Sequence, residues 1–260
     1  NVAVGAEALD ANTTADANTA VGYAALSANT TAESNTAIGF SAMLSNTTGG
    51  ENTAVGTNAL SQNTTASNNA AFGVNSLQHN TTGSNNTAVG KSSLEATTTG
   101  SHNTAMGLQS LATNTTGNSN TAMGLNSLVA NTTGADNTAV GMSSLDSATT
   151  ASYNTAVGRS ALQAITTNGS STAVGAYALN VNTGASNTAV GAFALDANTS
   201  AAHNTAVGES ALGANTTGTE NTAIGAGAGD SITTGNYNLC VGFNVDTGSA
   251  TSDRRFVIGQ

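Results

Sequence analysis

Three histidines, one cysteine and fourteen acidic residues are the groups in this chain with ligating, nucleophilic or proton-transferring chemistry. His79, His102 and His203 stand at variable positions of a repeat, and none has a second His or Cys one repeat away. A zinc site needs several N or S ligands converging on one point, so exposed histidines are expected instead. Asp16 and Glu33 share a position in consecutive repeats and could meet. General acid/base work also needs a cleft and substrate contacts, so the pair reads as a surface pair. The glycine-rich run at 225–229 lacks the following Lys and Ser/Thr of a phosphate loop, and no Gly-Gly-x-Gly-x-Asp calcium repeat occurs. Cys240, alone, cannot form an internal disulfide. Asn-Thr-Thr, as at Asn29 and Asn63, matches an N-glycosylation acceptor, yet glycans on successive repeats would crowd at ~5 Å. The expectation is a non-enzymatic chain with no catalytic residue, metal or cofactor.

What the sequence does carry is a ruler. Asn18-Thr19-Ala20-Val21-Gly22 returns along the chain, and its closing glycine recurs at Gly5, Gly22, Gly39, Gly56 and onward to Gly259. Every step is 17 residues except the 16 from Gly175 to Gly191. A fixed period marks units that cannot bury an apolar face alone and stack on their neighbours.

Composition fits a thin stack. Of the 260 residues 7% are charged, Pro and Trp are absent, and the apolar residues are mostly Ala, Val and Leu. A strict register of Val and Leu argues against disorder despite the abundance of Asn, Thr, Ser and Gly. Four basic against fourteen acidic residues give a formal charge of −10, which repels phosphate backbones and anionic membranes. No stretch approaches the ~20 apolar residues that span a bilayer. Neither nucleic acid nor membrane insertion is expected.

Seventeen residues are too few for two helices with their turns and suit two short strands with two turns, so the fold expected is an all-β parallel β-solenoid (β-roll) of about fifteen coils. At ~4.8 Å per coil these make a rod of roughly 70 Å. Like positions stack, so Asn18, Asn35, Asn52, Asn86, Asn103, Asn120 and Asn137 form a structural amide ladder, with a second at Asn12, Asn29, Asn46, Asn63 and Asn80. Adjacent residues of a strand face opposite sides. On this basis Val21, Ile38, Val55 and Val89, with Leu26, Leu60 and Leu94 on a second strand, are expected to fill the core. The small Ala20, Ala37, Ala54 and Ala88 on the other side are expected to let another chain approach, giving a homo-oligomer with parallel protomers.

The chain reads as one domain, with regular coils at 1–224 and divergent coils of the same solenoid at 225–260. In Asn182-Thr183-Gly184 one turn Thr is missing, which accounts for the 16-residue step. Gly229 replaces the usual Leu, and Ile232 is expected to refill the core. Neither end shows a capping element, which points to ends that stack on other molecules or to a longer chain.

Asn-Thr-Ala-Val-Gly followed by Ala-Leu, as at 18–26 and 204–212, resembles the head repeats of trimeric autotransporter adhesins and of phage tail fibres. The resemblance implies a β-roll in which three chains associate in parallel, located on a cell surface or virion, with variable turn residues binding a host glycan or surface protein. The scarce aromatics Tyr23, Phe40, Tyr153, Tyr177 and Phe193 are contact candidates. Two alternatives stand beside this surface fibre: an extracellular filament of end-to-end subunits, and an ice-binding solenoid. The second is disfavoured because Thr30 and Thr31 are adjacent and an alternating Thr-x-Thr is missing.

Overall fold

A computed structural model describes residues 1–259. Among these the fold is all-β, a parallel β-solenoid, and no helix is long and apolar enough to cross a membrane. The chain divides into two compact units, Asn1–Gly134 and Ala135–Gln260. Unit 1 carries β1 (Val2–Val4), β2 (Thr19–Val21), β3 (Thr36–Ile38), β4 (Thr53–Val55), β5 (Ala70–Phe72), β6 (Thr87–Val89), β7 (Thr104–Met106) and β8 (Thr121–Met123). Unit 2 carries β9 (Thr138–Val140), β10 (Thr155–Val157), β11 (Thr172–Val174), β12 (Thr188–Val190), β13 (Thr205–Val207), β14 (Thr222–Ile224), β15 (Leu239–Val241) and β16 (Phe256–Ile258).

Within each unit every strand pairs in parallel with the next, one repeat on: Thr19 lies beside Thr36, Ala20 beside Ala37 and Val21 beside Ile38. The 16-residue step leaves this register intact, with Thr172 beside Thr188. Its shortened turn closes on itself, because the Asn182 amide accepts from Gly184 N–H at 3.1 Å and donates to Gly184 O at 2.8 Å.

Only one strand forms per coil. The expected second strand around Ala25-Leu26 is instead a run of turns, with Ala24 and Leu26 at φ of 51° and 54°. The turns still bond from coil to coil: Ala24 N–H donates to Ala6 O of the preceding coil, and Leu26 and Ala28 N–H donate to Ala42 O and Leu44 O of the next. Such angles cost a non-glycine residue roughly 1–2 kcal/mol. They are offset where Leu26 loses all contact with water, since burying a Leu side chain contributes about 1.5–3 kcal/mol.

The core is narrower than the sequence reading held. Leu26, Leu60 and Leu94 are fully buried, but Val21, Ile38, Val55 and Val89 are not core residues: Ile38 is 40% exposed and the three valines are half-buried. Ala20, Ala37, Ala54 and Ala88, expected at a contact between chains, are wholly inside. The reason is thickness. At Gly229, in the Leu slot, a Cβ would lie 3.6 Å from Ala223 Cβ and 3.0 Å from Leu212 Cδ2. The strand and the opposite wall stand too close for two large side chains, so one Leu per coil fills the space against an Ala methyl. Where Gly229 removes that Leu, Ile232 is buried with its Cδ1 3.3 Å from the same point.

The ruler glycines set this spacing. Gly90 has φ of 125°, a region closed to L side chains, and a Cβ there would meet Gly107 O at 2.5 Å. Gly50 has no such constraint, and a Cβ would meet only Glu33 O at 3.1 Å within close range. Urea unfolding should therefore show Gly90→Ala losing about 3 kcal/mol or more, while Gly50→Ala stays within about 1 kcal/mol of the parent.

Candidate functional site

Two amide ladders hold the coils in register. In the first, each backbone N–H donates to the side-chain oxygen of the Asn one coil earlier: Asn35 to Asn18 at 2.9 Å, Asn52 to Asn35 at 3.0 Å, Asn103 to Asn86 at 2.9 Å and Asn120 to Asn103 at 3.0 Å. Unit 2 begins the same ladder with Asn137, whose Oδ1 accepts from Asn154 N–H at 3.1 Å, and Ser171 then stands in for Asn without breaking it. Side-chain N–H groups cross the coil. Asn18 Nδ2 and Asn29 Nδ2 both donate to Ala32 O, at 2.8 and 3.0 Å, so one carbonyl ties the two ladders together. These asparagines are buried, and Asn29 and Asn63 are fully so, which closes the Asn-Thr-Thr acceptors to a glycosyl group in the folded chain.

The second ladder breaks where the sequence does. Asn63 Nδ2 donates to Asn46 Oδ1 at 2.7 Å and Asn80 Nδ2 to Asn63 Oδ1 at 2.9 Å, but the next coil has Thr97. Asn80 Oδ1 and Thr97 Oγ1 are both buried without a partner. Asn215 Oδ1 is left likewise where Ile232 follows.

Outside the ladders lies the sheet's outward face. Gly22 N–H and Ala24 N–H both bond to carbonyls of the preceding coil, Val4 O and Ala6 O, so strand-like alternation runs on past the strand and puts Thr19, Val21 and Tyr23 on one side. The face thus has three ranks. The first is Thr in most coils; the second is Val, Ile, Met or Phe, with Ile38, Phe72, Met106 and Met123 at 38–41% exposure. The third is variable: Tyr23, Phe40, Val74, Leu108 and Leu125 beside Ala6, Thr57 and Lys91 in unit 1, and Arg159, Ala176, Ala192, Glu209 and Ala226 between Met142 and Phe243 in unit 2. No residue of any strand is charged. Sequence alternation separated Ala20 from Val21 correctly but could not say which was inside.

The aromatics are exposed or half-buried. Tyr23 stacks on Phe40 at 5.4 Å between centroids, and Glu7 Oε1 accepts from the Tyr23 hydroxyl at 3.1 Å, a bond that raises the phenol pKa. Tyr177 stacks on Phe193 at 5.4 Å beneath the Arg159 guanidinium, and Tyr153 stands free at 68% exposure. His102 and His203 are exposed, and His79 Nδ1 lies 3.0 Å from Glu95 O. Among the described residues no three His, Cys, Asp or Glu side chains come together as a metal group. Asp16 and Glu33 are both exposed, and Glu33 borders a groove of about 420 Å³ that also takes in Thr31, Thr48, Gly50 and Glu51.

One carboxylate pair went unnoticed in the sequence. Asp246 accepts from Ser231 N–H at 2.9 Å and Thr247 N–H at 2.7 Å. Elsewhere the Ser231 slot donates to a backbone carbonyl one coil on, as Ala28 does, so a carboxylate here caps an N–H that the turn ladder would leave open. Burial acts to raise the Asp246 pKa, but these donors outweigh it and hold it below the ordinary value. Its neighbour Asp230 is pushed up, first by burial and then by the hydrogen bond and like charge of Asp246. Burial likewise raises the Cys240 thiol. No protein-family model matches the chain, and no curated protein is similar to it.

Two predictions follow from the polar contacts. Thr97→Asn supplies the missing donor to Asn80 and should raise stability by about 1 kcal/mol in urea unfolding. A group with a raised folded pKa stabilises below its unfolded pKa and loses that contribution as pH rises, so ionised Asp230 is a burden at neutral pH. Asp230→Asn should raise the Tm at pH 7, and the gain should fade as pH falls through the raised folded pKa towards the ordinary aspartate value, to be absent by pH ~3.

Proposed function

We propose that this chain is a non-enzymatic structural or adhesive segment of a surface fibre, on a cell or a virion, built from three parallel copies that meet through the outward sheet face. The observation that carries the reading is the second rank: a large apolar side chain stands partly out of the core in coil after coil between the two ends, from half-buried valines to 45% exposure at Ile224, with no charged strand residue beside it. Monomeric soluble proteins rarely expose contiguous apolar patches above a few hundred Å², and larger ones mark contacts. The contact so placed replaces the Ala ranks, which are buried. The bends that lead into the strands keep charged residues, including Glu33, Glu51 and Asp136, in water, where they are free to bind a glycan or surface protein.

A partner for this face must repeat its rank along each unit at the coil spacing, and a second copy does so by construction. End-to-end stacking of coils into a filament is compatible with the same side-by-side contact. Ice binding remains the second reading, since the strands of this face stack Thr on Thr, as at Thr19 and Thr36, and carry no charged residue. A free face would serve that function; a face covered by copies would not.

Sedimentation equilibrium of the intact chain should return three times the chain mass, and negative-stain micrographs should show narrow rods. A single-chain mass at all concentrations would overturn the fibre reading, and thermal hysteresis from such a monomer would establish the ice-binding one.

A further inference from the structure

The third rank is where the two units part company. In unit 1, Tyr23, Phe40, Val74, Leu108 and Leu125 are 42–54% exposed, each two residues beyond a second-rank residue on the same side of the chain. In unit 2 the corresponding residues are small or charged from Arg159 through Ala226, and Phe243 brings back a large apolar residue in the divergent last coils. Nothing in the coil demands large apolar residues at this position, since Ala176, Ala192 and Glu209 occupy it with the adjoining strands still in register.

Resting on the fibre reading above, we infer that the third rank of unit 1 belongs to the surface on which copies of this chain meet, and that equal coils meet there. A large apolar side chain buries on the order of 200 Å², so at this exposure each leaves roughly 80–100 Å² uncovered. Second and third ranks of unit 1 together then offer on the order of 800 Å², about one partner's share of a standard stable interface. Neither rank alone reaches that area.

Charge selects the same occupant. Copies bearing −10 each repel one another, and this face is where they can approach: Lys91 is the one charged residue in the third rank of unit 1, and none occurs in its strands. Register follows from β5. There Ala70 replaces the usual Thr of the first rank while Phe72 replaces the Val or Met of the second. Bulk gained in one rank is given up in the other rank of the same coil. The exchange fits a contact in which Phe72 meets the reduced Ala70 of the same coil in another copy; against a shifted coil, Phe72 would meet an unreduced Thr.

Oxidative cross-linking tests this in the full-length chain, with Cys240→Ala removing the native thiol and placing there the residue that β14 carries. Leu108→Cys should link copies to one another in high yield, whereas Thr116→Cys on the exposed turn should link them no more than the thiol-free parent does. Leu108→Lys with Leu125→Lys should weaken association at least tenfold by sedimentation, with the far-ultraviolet spectrum of a folded coil retained. A multi-copy parent that neither links through Leu108→Cys nor loses mass with the two lysines overturns this inference and leaves the fibre reading standing. A single-chain mass for the parent overturns both.

Discussion

Everything in this fold depends on how closely one coil lies on the next at the ruler glycine. There the backbone of Gly90 comes so near the carbonyl of Gly107 that a single methyl group would collide with it. That contact fixes the pitch, and the pitch forces like residues over like. An Asn in one coil then finds its hydrogen-bond partner in the same Asn of the neighbour, so the backbone and the amide ladders are satisfied by one geometry. A repeat that departs from the pattern leaves a local mark, as Asn80 and Thr97 do with their unpaired oxygens.

A thin coil has a second consequence, which decides the surface. In most coils one large apolar side chain, a Leu, fills the space between strand and turn wall, and in one coil Ile165 is buried with Leu162. The remaining bulk of the strand has to point outward. The chain therefore carries Ala inside and Val, Ile, Met or Phe outside, the reverse of an ordinary half-buried strand, and this outward face is the one the proposed contact between copies would cover. Much of the variation falls where it does not disturb stacking, in the third rank, the turn tips and the terminal coils, and the second ladder, with Thr97, Ala148 and Ile165, is the exception.

The period, the parallel solenoid, the Leu core and the Asn ladders were legible in the sequence because each depends only on like residues recurring at one interval. The missing Thr near Asn182 and the refilling of the core by Ile232 were legible for the same reason. What was not legible depends on distances across the coil. Alternation says that Ala20 and Val21 face apart, and bulk suggests that Val is inside; only the narrow gap between strand and wall, seen at Gly229, reverses the choice. The second strand failed because Leu26 adopts a left-handed backbone that its residue type disfavours and its burial compensates. The Asp230 and Asp246 pair escaped notice because the two stand 16 residues apart, at non-equivalent positions of consecutive 17-residue coils.

The claim on which the account turns is that the small residue of each strand faces in and the large one faces out. Equilibrium urea unfolding of two neighbouring variants in β7 tests it most directly. Ala105→Val should lose about 1–3 kcal/mol, because a filled interior has no room for two more carbons, while Met106→Val, which installs the residue most coils carry, should stay within about 1 kcal/mol of the parent. An Ala105→Val chain as stable as the parent would contradict the account.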